Sequence, residues 1–151
     1  MNILLGNDHG AVELRLKLLT WLEAQGHTVE AFGPAVEESV DYPDVAKETC
    51  AAFKKGGYDF GILLCGTGIG ISIAANKITG IRCALVHDTF TAALAKEHNN
   101  ANFIALGGRV QYAEGPEAIV AAFVRAKFEG GRHERRVGKI MDLEVDGLRC
   151  R

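Results

Sequence analysis

The chain contains no CxxC pair and no cluster of cysteine and histidine at zinc-finger spacing; its four cysteines stand apart at positions 50, 65, 83 and 150. A structural metal and a disulfide framework are both disfavoured, and reduced thiols are expected. Charge of one sign is also missing. A net charge of -2 provides no broad basic surface for nucleic acid, so any anion site must be local. The opening run, MNILLGNDHG, is too short for a signal peptide and soon meets Asp8 and His9; no export signal or membrane span is expected, and the cytosol is the simplest location. Only three prolines interrupt the chain, and it shows no internal repeat, low-complexity tract or second domain.

What is there is the material of one globular domain: 151 residues, 48% hydrophobic and 24% charged, with 18 glycines. Short continuous apolar runs at Ile3 to Leu5, Val29 to Phe32, Phe60 to Leu64, Cys83 to Val86 and Phe103 to Leu106 read as strands covered on both faces. Between them, Val12 to Leu22, Val45 to Phe53, Ile69 to Ile73 and Phe90 to His98 carry helical spacing. Gly26 and Gly56-Gly57 supply stops, and Pro43 and Pro116 supply starts. Strict alternation predicts a doubly wound α/β domain with a five-stranded parallel sheet and helices on both faces. Residues 1–114 would form this core. Residues 115–151 would add helices over about 117–128 and 133–145, the last a candidate contact with a partner subunit.

Ligands of such folds bind at the carboxyl ends of the strands. The rule selects Asn7, Asp8 and His9, then Cys65 to Gly70, His87 and Asp88, and Gly107 to Arg109. The segment DFGILLCGTGIGISIAANK concentrates the question. Its glycines do not match G-x-G-x-x-G, because Ile71 stands where the third glycine should be, and no Gly-Lys-Ser/Thr follows for a Walker A loop. Only Asp88, about 20 residues on, favours a dinucleotide. Glycines 66, 68 and 70 instead allow backbone N–H groups to approach an anion or oxyanion closely, or they mark a tight structural turn in which Thr67 is an N-cap. Cys65 adds a thiol at a helix N-terminus, where it can serve as base or nucleophile, with His9, His98, Asp8 and Asp88 as candidate partners. Cys50 and Cys83 read as inert core thiols.

Other residues have a plain reading beside a functional one. Asp8 can cap a helix or bind a ligand; His98 and Asn99 can close a helix or face a substrate. Arg132 and Arg136 are four apart on a predicted helix and so share a face, which suits capture of a phosphate, although Glu129 and Glu134 could equally pair with them. Six Lys or Arg residues fall between Arg125 and Lys139. Arg109 is a third candidate cation.

Taken together, the DH after the first strand, DYPDVA, CGTGIGISIAANK, GIR, EHNNANFIALGGR and FEGGRHERRV resemble the ribose-5-phosphate isomerase B family, which also includes galactose-6-phosphate isomerase subunits. The likeness runs from about residue 1 to 145. It implies a homodimer or tetramer with shared active sites and a sugar phosphate substrate. Cys65 would be the base moving a proton between C1 and C2, with Thr67 and the amides of Gly66, Gly68, Ile69 and Gly70 holding the enediolate. The resemblance further makes His98 the group that opens the furanose ring and assigns Asp8, His9 and Asn99 to substrate hydroxyls or to that opening. Arg109, Arg132 and Arg136 would be ligands of the phosphate and of the rest of the substrate. No metal or organic cofactor is implied. Some relatives have a glutamate as base where this chain has Ile71. Ribose 5-phosphate is the first expected substrate, with allose or galactose 6-phosphate as alternatives, and a non-catalytic sugar-phosphate binder or a nucleotide-dependent dehydrogenase as readings of other classes.

Overall fold

A computed structural model describes residues 1–36 and 38–149. Five strands, β1 (Asn2–Asn7), β2 (Thr28–Phe32), β3 (Phe60–Cys65), β4 (Cys83–Leu85) and β5 (Phe103–Gly107), form one parallel sheet in the order β2-β1-β3-β5-β4. Six α-helices connect or follow them: α1 (Val12–Ala24), α2 (Tyr42–Lys54), α3 (Ile69–Ala75), α4 (Thr89–Glu97), α5 (Pro116–Arg125) and α6 (Arg132–Arg149). The chain turns back at β1, placing β2 on one side and β3 on the other. The crevice between the carboxyl ends of β1 and β3 is therefore the topological switch point.

The period of two along each strand sorts the core. Ile3, Leu5, Ile62, Leu64, Ile104 and Leu106 pack with residues of α1, α4 and α5 on one face, whereas Leu4, Leu63, Cys65, Phe103 and Ala105 pack with α2 and α3 on the other. These aliphatic side chains are almost completely buried, and each contributes about 1.5–3 kcal/mol relative to exposure. Ile119, Val120 and Phe123 of α5 join the first of these clusters. Cys50 and Cys83 belong to the second, and burial pushes the Cys50 thiol up to about 12 and raises Cys83 too, so both remain protonated near neutrality. Cys150 lies outside the described residues.

The expected punctuation holds, with changes at element ends. Asn7 and Cys65 are the last residues of their strands rather than the first of the following loops. Asn7 is fully buried and its Nδ2 donates to the carbonyls of Asp8 and Pro34, tying the β2–α2 connection to the first loop. The helix expected to reach residue 128 stops at Arg125 because Ala126 turns extended, at φ -69° and ψ 149°. The final helix starts one residue earlier than expected and runs to Arg149.

Candidate active site

Three loops meet at the carboxyl edge. Asp8 is 6% exposed and caps the short turn His9–Ala11, its Oδ1 accepting the Gly10 N–H at 2.8 Å, so the plain capping role is realised at the rim of the crevice. The Asp8 N–H donates to the Leu64 carbonyl, while those of Gly108 and Arg109 donate to Cys65 and Gly66 at 2.8 and 3.0 Å. The loops after β1, β3 and β5 are thereby laced through backbone groups. This requires small residues: a Cβ on Gly107 would lie 2.7 Å from the Thr67 backbone, and one on Gly108 would lie 2.6 Å from the Gly10 oxygen.

Within this frame Cys65 is 4% exposed, and its Sγ accepts the Gly68 N–H at 3.2 Å. Gly68, in the left-handed region at φ 78°, is the N-cap of α3, which corrects the N-cap role expected of Thr67. The exposed Thr67 hydroxyl instead accepts the Ile69 N–H from one position earlier, at 3.3 Å. A Cβ on Gly66 would lie 3.7 Å from Nη1 of Arg109, so that guanidinium stands beside the loop. His9, Gly10, Gly108 and Arg109 help line a cleft of about 240 Å³. Gly70 faces the ring of Tyr42, whose Cζ would be 2.7 Å from an added Cβ. Tyr42 sits in the DYPDVA motif but drew no role from sequence. Ile71 is fully buried in the core.

The second group of expected residues lies elsewhere. His98 is the C-cap of α4 and Asn99 follows it, before β5 begins at Phe103 beside Gly61. They therefore stand at the amino edge, while Cys65 pairs with Gly107 at the carboxyl edge, roughly 13 Å away along the strands. Moreover, α4 packs on the face opposite Cys65. The expectation that His98 could reach the Cys65 thiol within one chain is thus corrected: helix α4 runs antiparallel to the strands and carries its C-terminus away from the crevice. Asp88, the acid that might have bound a ribose, is also occupied. It caps α4, with Oδ1 accepting from the Thr91 N–H and hydroxyl at 2.6 and 2.7 Å, and the Thr91 amide bond holds its carboxyl below the ordinary value.

The amino edge has its own order. Arg82, in the GIR motif, donates to the carbonyls of Asn99 and Asn100 and fixes the turn in which Asn100 takes φ 44°. The His98 ring stacks on that of His133, with centroids 4.1 Å apart and planes 12° from parallel. Glu129 approaches both imidazoles, and Nε of Arg132 donates to His133 Nε2 at 3.2 Å. Arg132 and Arg136 are exposed on the first turns of α6. Sequence gives no signal for His133 and Glu129 as site residues, because Glu129 reads as an ion-pair partner of the arginines and the stacking of His133 on His98 is a tertiary contact.

A doubly wound domain with a glycine-laced thiol loop at its switch point and a histidine–arginine group at the other edge defines a sugar phosphate isomerase when set beside its relatives. Residues 3–140 match the Ribose/Galactose Isomerase family, and the chain belongs to that family of aldose–ketose isomerases. It is 44% identical to the D-erythrulose-4-phosphate isomerase of Pectobacterium atrosepticum, over 93% of each chain. It is 41% identical to ribose-5-phosphate isomerase B of Escherichia coli, over 94% of this chain and 95% of that protein. The solved ribose-5-phosphate isomerase B of Clostridium thermocellum superposes with a TM-score of 0.93 at 45% identity, covering 97% of this chain and 99% of that one. Among the described residues, no helix is long and apolar enough to cross a membrane.

Proposed function

We propose that the chain, as one isomerase domain over residues 1–151 in the cytoplasm, interconverts ribose 5-phosphate and ribulose 5-phosphate in sites completed by a second copy. The observation that carries this reading is the separation of the two residue groups. Cys65, Thr67, Asp8, His9 and Arg109 share one edge of the sheet, and His98, Asn99 and the Arg132–Arg136 helix share the other. A complete site then needs the carboxyl edge of one subunit against the amino edge of its neighbour.

In this site the phosphate sits among Arg109, Arg132 and Arg136, which supply the localised positive charge that the whole chain lacks. His98 protonates the ring oxygen as the O1 hydroxyl loses its proton, giving the open aldehyde, with Asp8, His9 and Asn99 on the hydroxyls. Cys65 as thiolate then takes the proton from C2, and charge develops on O1. The amides of residues 66 to 70 and the Thr67 hydroxyl hold this enediolate, those of Gly68 and Ile69 turning to it from the Cys65 sulfur and the Thr67 oxygen, and each donor placed on it can contribute about 2.7–4 kcal/mol. Return of the proton to C1, with transfer of the O2 hydroxyl proton to O1, yields the ketose. No step calls on a cofactor.

Chain length is the open variable of the same chemistry. The similarity to an erythrulose-4-phosphate isomerase favours a four-carbon substrate as a second reading. Six-carbon phosphates are a further alternative, because one relative, 39% identical, is a galactose-6-phosphate isomerase subunit. Comparing kcat/KM over four-, five- and six-carbon aldose phosphates in deuterated water tests both points. Ribose 5-phosphate should give the highest value, with solvent deuterium entering the ketose at C1. Binding of every sugar without exchange or turnover would replace the enzyme with a sensor.

A further inference from the structure

His133 is 5% exposed, takes no part in the steps above and is engaged on three sides. Its ring lies flat on His98, its Nε2 is 3.2 Å from Arg132 Nε, and the same Nε2 is 3.4 Å from Glu129 Oε2. One ring nitrogen cannot satisfy both of those neighbours. A bare Nε2 accepts the Arg132 N–H but turns a lone pair toward the Glu129 carboxylate; a protonated Nε2 donates to Glu129 but confronts the Arg132 donor. The two partners therefore select different states of the imidazole.

The surroundings choose between those states. The charged and titratable groups facing His133 are Glu129 in the loop before α6, Arg132 and Arg136 on α6, and His98 on α4. Burial, together with His98 and the two arginines, holds His133 below the usual histidine range, against the opposing pull of Glu129. Its resting form is then neutral, with the proton on Nδ1 and Nε2 accepting from Arg132. The Glu129 carboxylate, whose Oε2 is 3.8 Å from His98 Nε2, is left facing His98. Stacked imidazoles this close disfavour two positive charges, so the pair carries at most one positive charge easily.

We propose that His133 is a positioning residue that couples phosphate capture to proton placement at His98: when a phosphate draws Arg132 away, Nε2 of His133 is freed to turn to Glu129, and the proton and carboxylate available to His98 change with it. This rests on the reading of His98 as the ring-opening group and of Arg132 as a phosphate ligand.

The coupling is readable without turnover. In the full chain labelled with ¹⁵N-histidine, His133 Nε2 should show the shift of a bare acceptor and move toward that of an N–H when inorganic phosphate saturates the protein. An unchanged His133 tautomer on saturation overturns the proposal. Kinetics supply the second arm, because erythrose 4-phosphate has its C4 oxygen esterified and cannot close a furanose ring, so it needs no opening. His133→Phe keeps an aromatic ring on His98 but loses Nε2; on ribose 5-phosphate its kcat should fall about 10–100-fold with KM within about threefold, and on erythrose 4-phosphate kcat should fall less than about threefold. Equal losses on both sugars would make His133 merely structural and overturn the proposal. Glu129→Gln, a change at an exposed side chain that cannot disturb the core, should move the alkaline limb of the pH–kcat profile on ribose 5-phosphate to lower pH, because the protonated pair that supplies the ring-opening proton loses its counter-charge. An unmoved limb also counts against the coupling. If the unaltered protein turns over neither sugar, the isomerase reading fails, while the tautomer titration still decides whether His133 answers to phosphate.

Discussion

At the carboxyl edge of the sheet, the loop proposed to hold the enediolate, Gly66 to Gly70, is backbone-rich, tied to the loop after β5 through the Cys65 and Gly66 carbonyls and closed by Gly107 and Gly108, which admit no side chain. At the amino edge the groups are long or titratable side chains, His98, His133, Glu129, Arg132 and Arg136, arranged by stacking and charge. The first edge suits a task that needs donors at a developing oxyanion, because backbone dipoles in a tied loop reorient little during reaction. The second suits capture of a charged group and movement of protons, whose energies respond to the charge state of neighbours. The proposed isomerisation calls on both, and the fold puts them on separate edges.

The largest effect should come from removing the proposed base of the backbone-rich edge. Cys65→Ala is expected to lower kcat by about 10²–10⁴-fold with little change in melting temperature. Cys83→Ala, a thiol in the same core cluster but held protonated by burial, should leave kcat within about threefold and cost about 1 kcal/mol of stability. Near-normal turnover by the Cys65 variant would remove the base from this edge and with it the proposed division of labour.

The second prediction concerns whether the two edges act together across subunits. An inactive Cys65→Ala chain and an inactive Arg136→Ala chain, refolded in equal amounts, should recover about a quarter of normal activity, since half of randomly mixed dimers are mixed and each has one intact site. Mixed dimers verified by tag exchange that remain inactive would show that each chain must work alone, against the roughly 13 Å separation along the strands.

The contrast between the edges also explains what sequence could reveal. The strands were legible because a parallel sheet covered on both faces demands continuous apolar runs, as in Phe60 to Leu64 and Phe103 to Leu106. The carboxyl-edge loops followed from strand polarity alone. Strand polarity groups Cys65, Gly68 and Arg109 at one edge. The amino edge was not legible in that way. Nothing local says that His98 will stack on a residue 35 positions later, or that Arg82 will clamp the Asn99–Asn100 turn. Tyr42 over Gly70 is equally a tertiary contact. The resemblance named His98 and Arg132 and implied shared sites; that His98 stands on the opposite sheet edge from Cys65 within one chain is read from the topology.

Glycine substitutions should reproduce the contrast as stability. At Gly68, φ is 78° and a Cβ would meet the Leu106 carbonyl carbon at 2.9 Å, so Gly68→Ala should cost about 1–3 kcal/mol, with activity falling in parallel as the Cys65 contact is lost. At Gly131, beside Arg132, φ is 54° but nothing lies within 4 Å of an added Cβ. Gly131→Ala should cost about 1 kcal/mol from backbone conformation alone. Urea unfolding of both variants measures this; equal losses would mean that the loop lacing at the carboxyl edge adds nothing beyond dihedral strain.

The smallest expected effect belongs to the amino edge and its charge state. His133 has a native pKa below its unfolded value, so the unfolded chain binds more protons between the two values, and stability must fall as pH drops through that interval. The contribution is complete above about pH 6.5, the ordinary histidine value, and is lost as pH falls toward and through the native value. His133→Phe cannot take up that proton. Its melting temperature, measured from pH 7.5 to 5, should therefore decline less steeply than that of the unaltered protein. Cys65→Ala, which alters only the other edge, should keep the original slope. Parallel slopes for all three proteins would place the acid sensitivity elsewhere and remove the charge-tuned character assigned here to the amino edge.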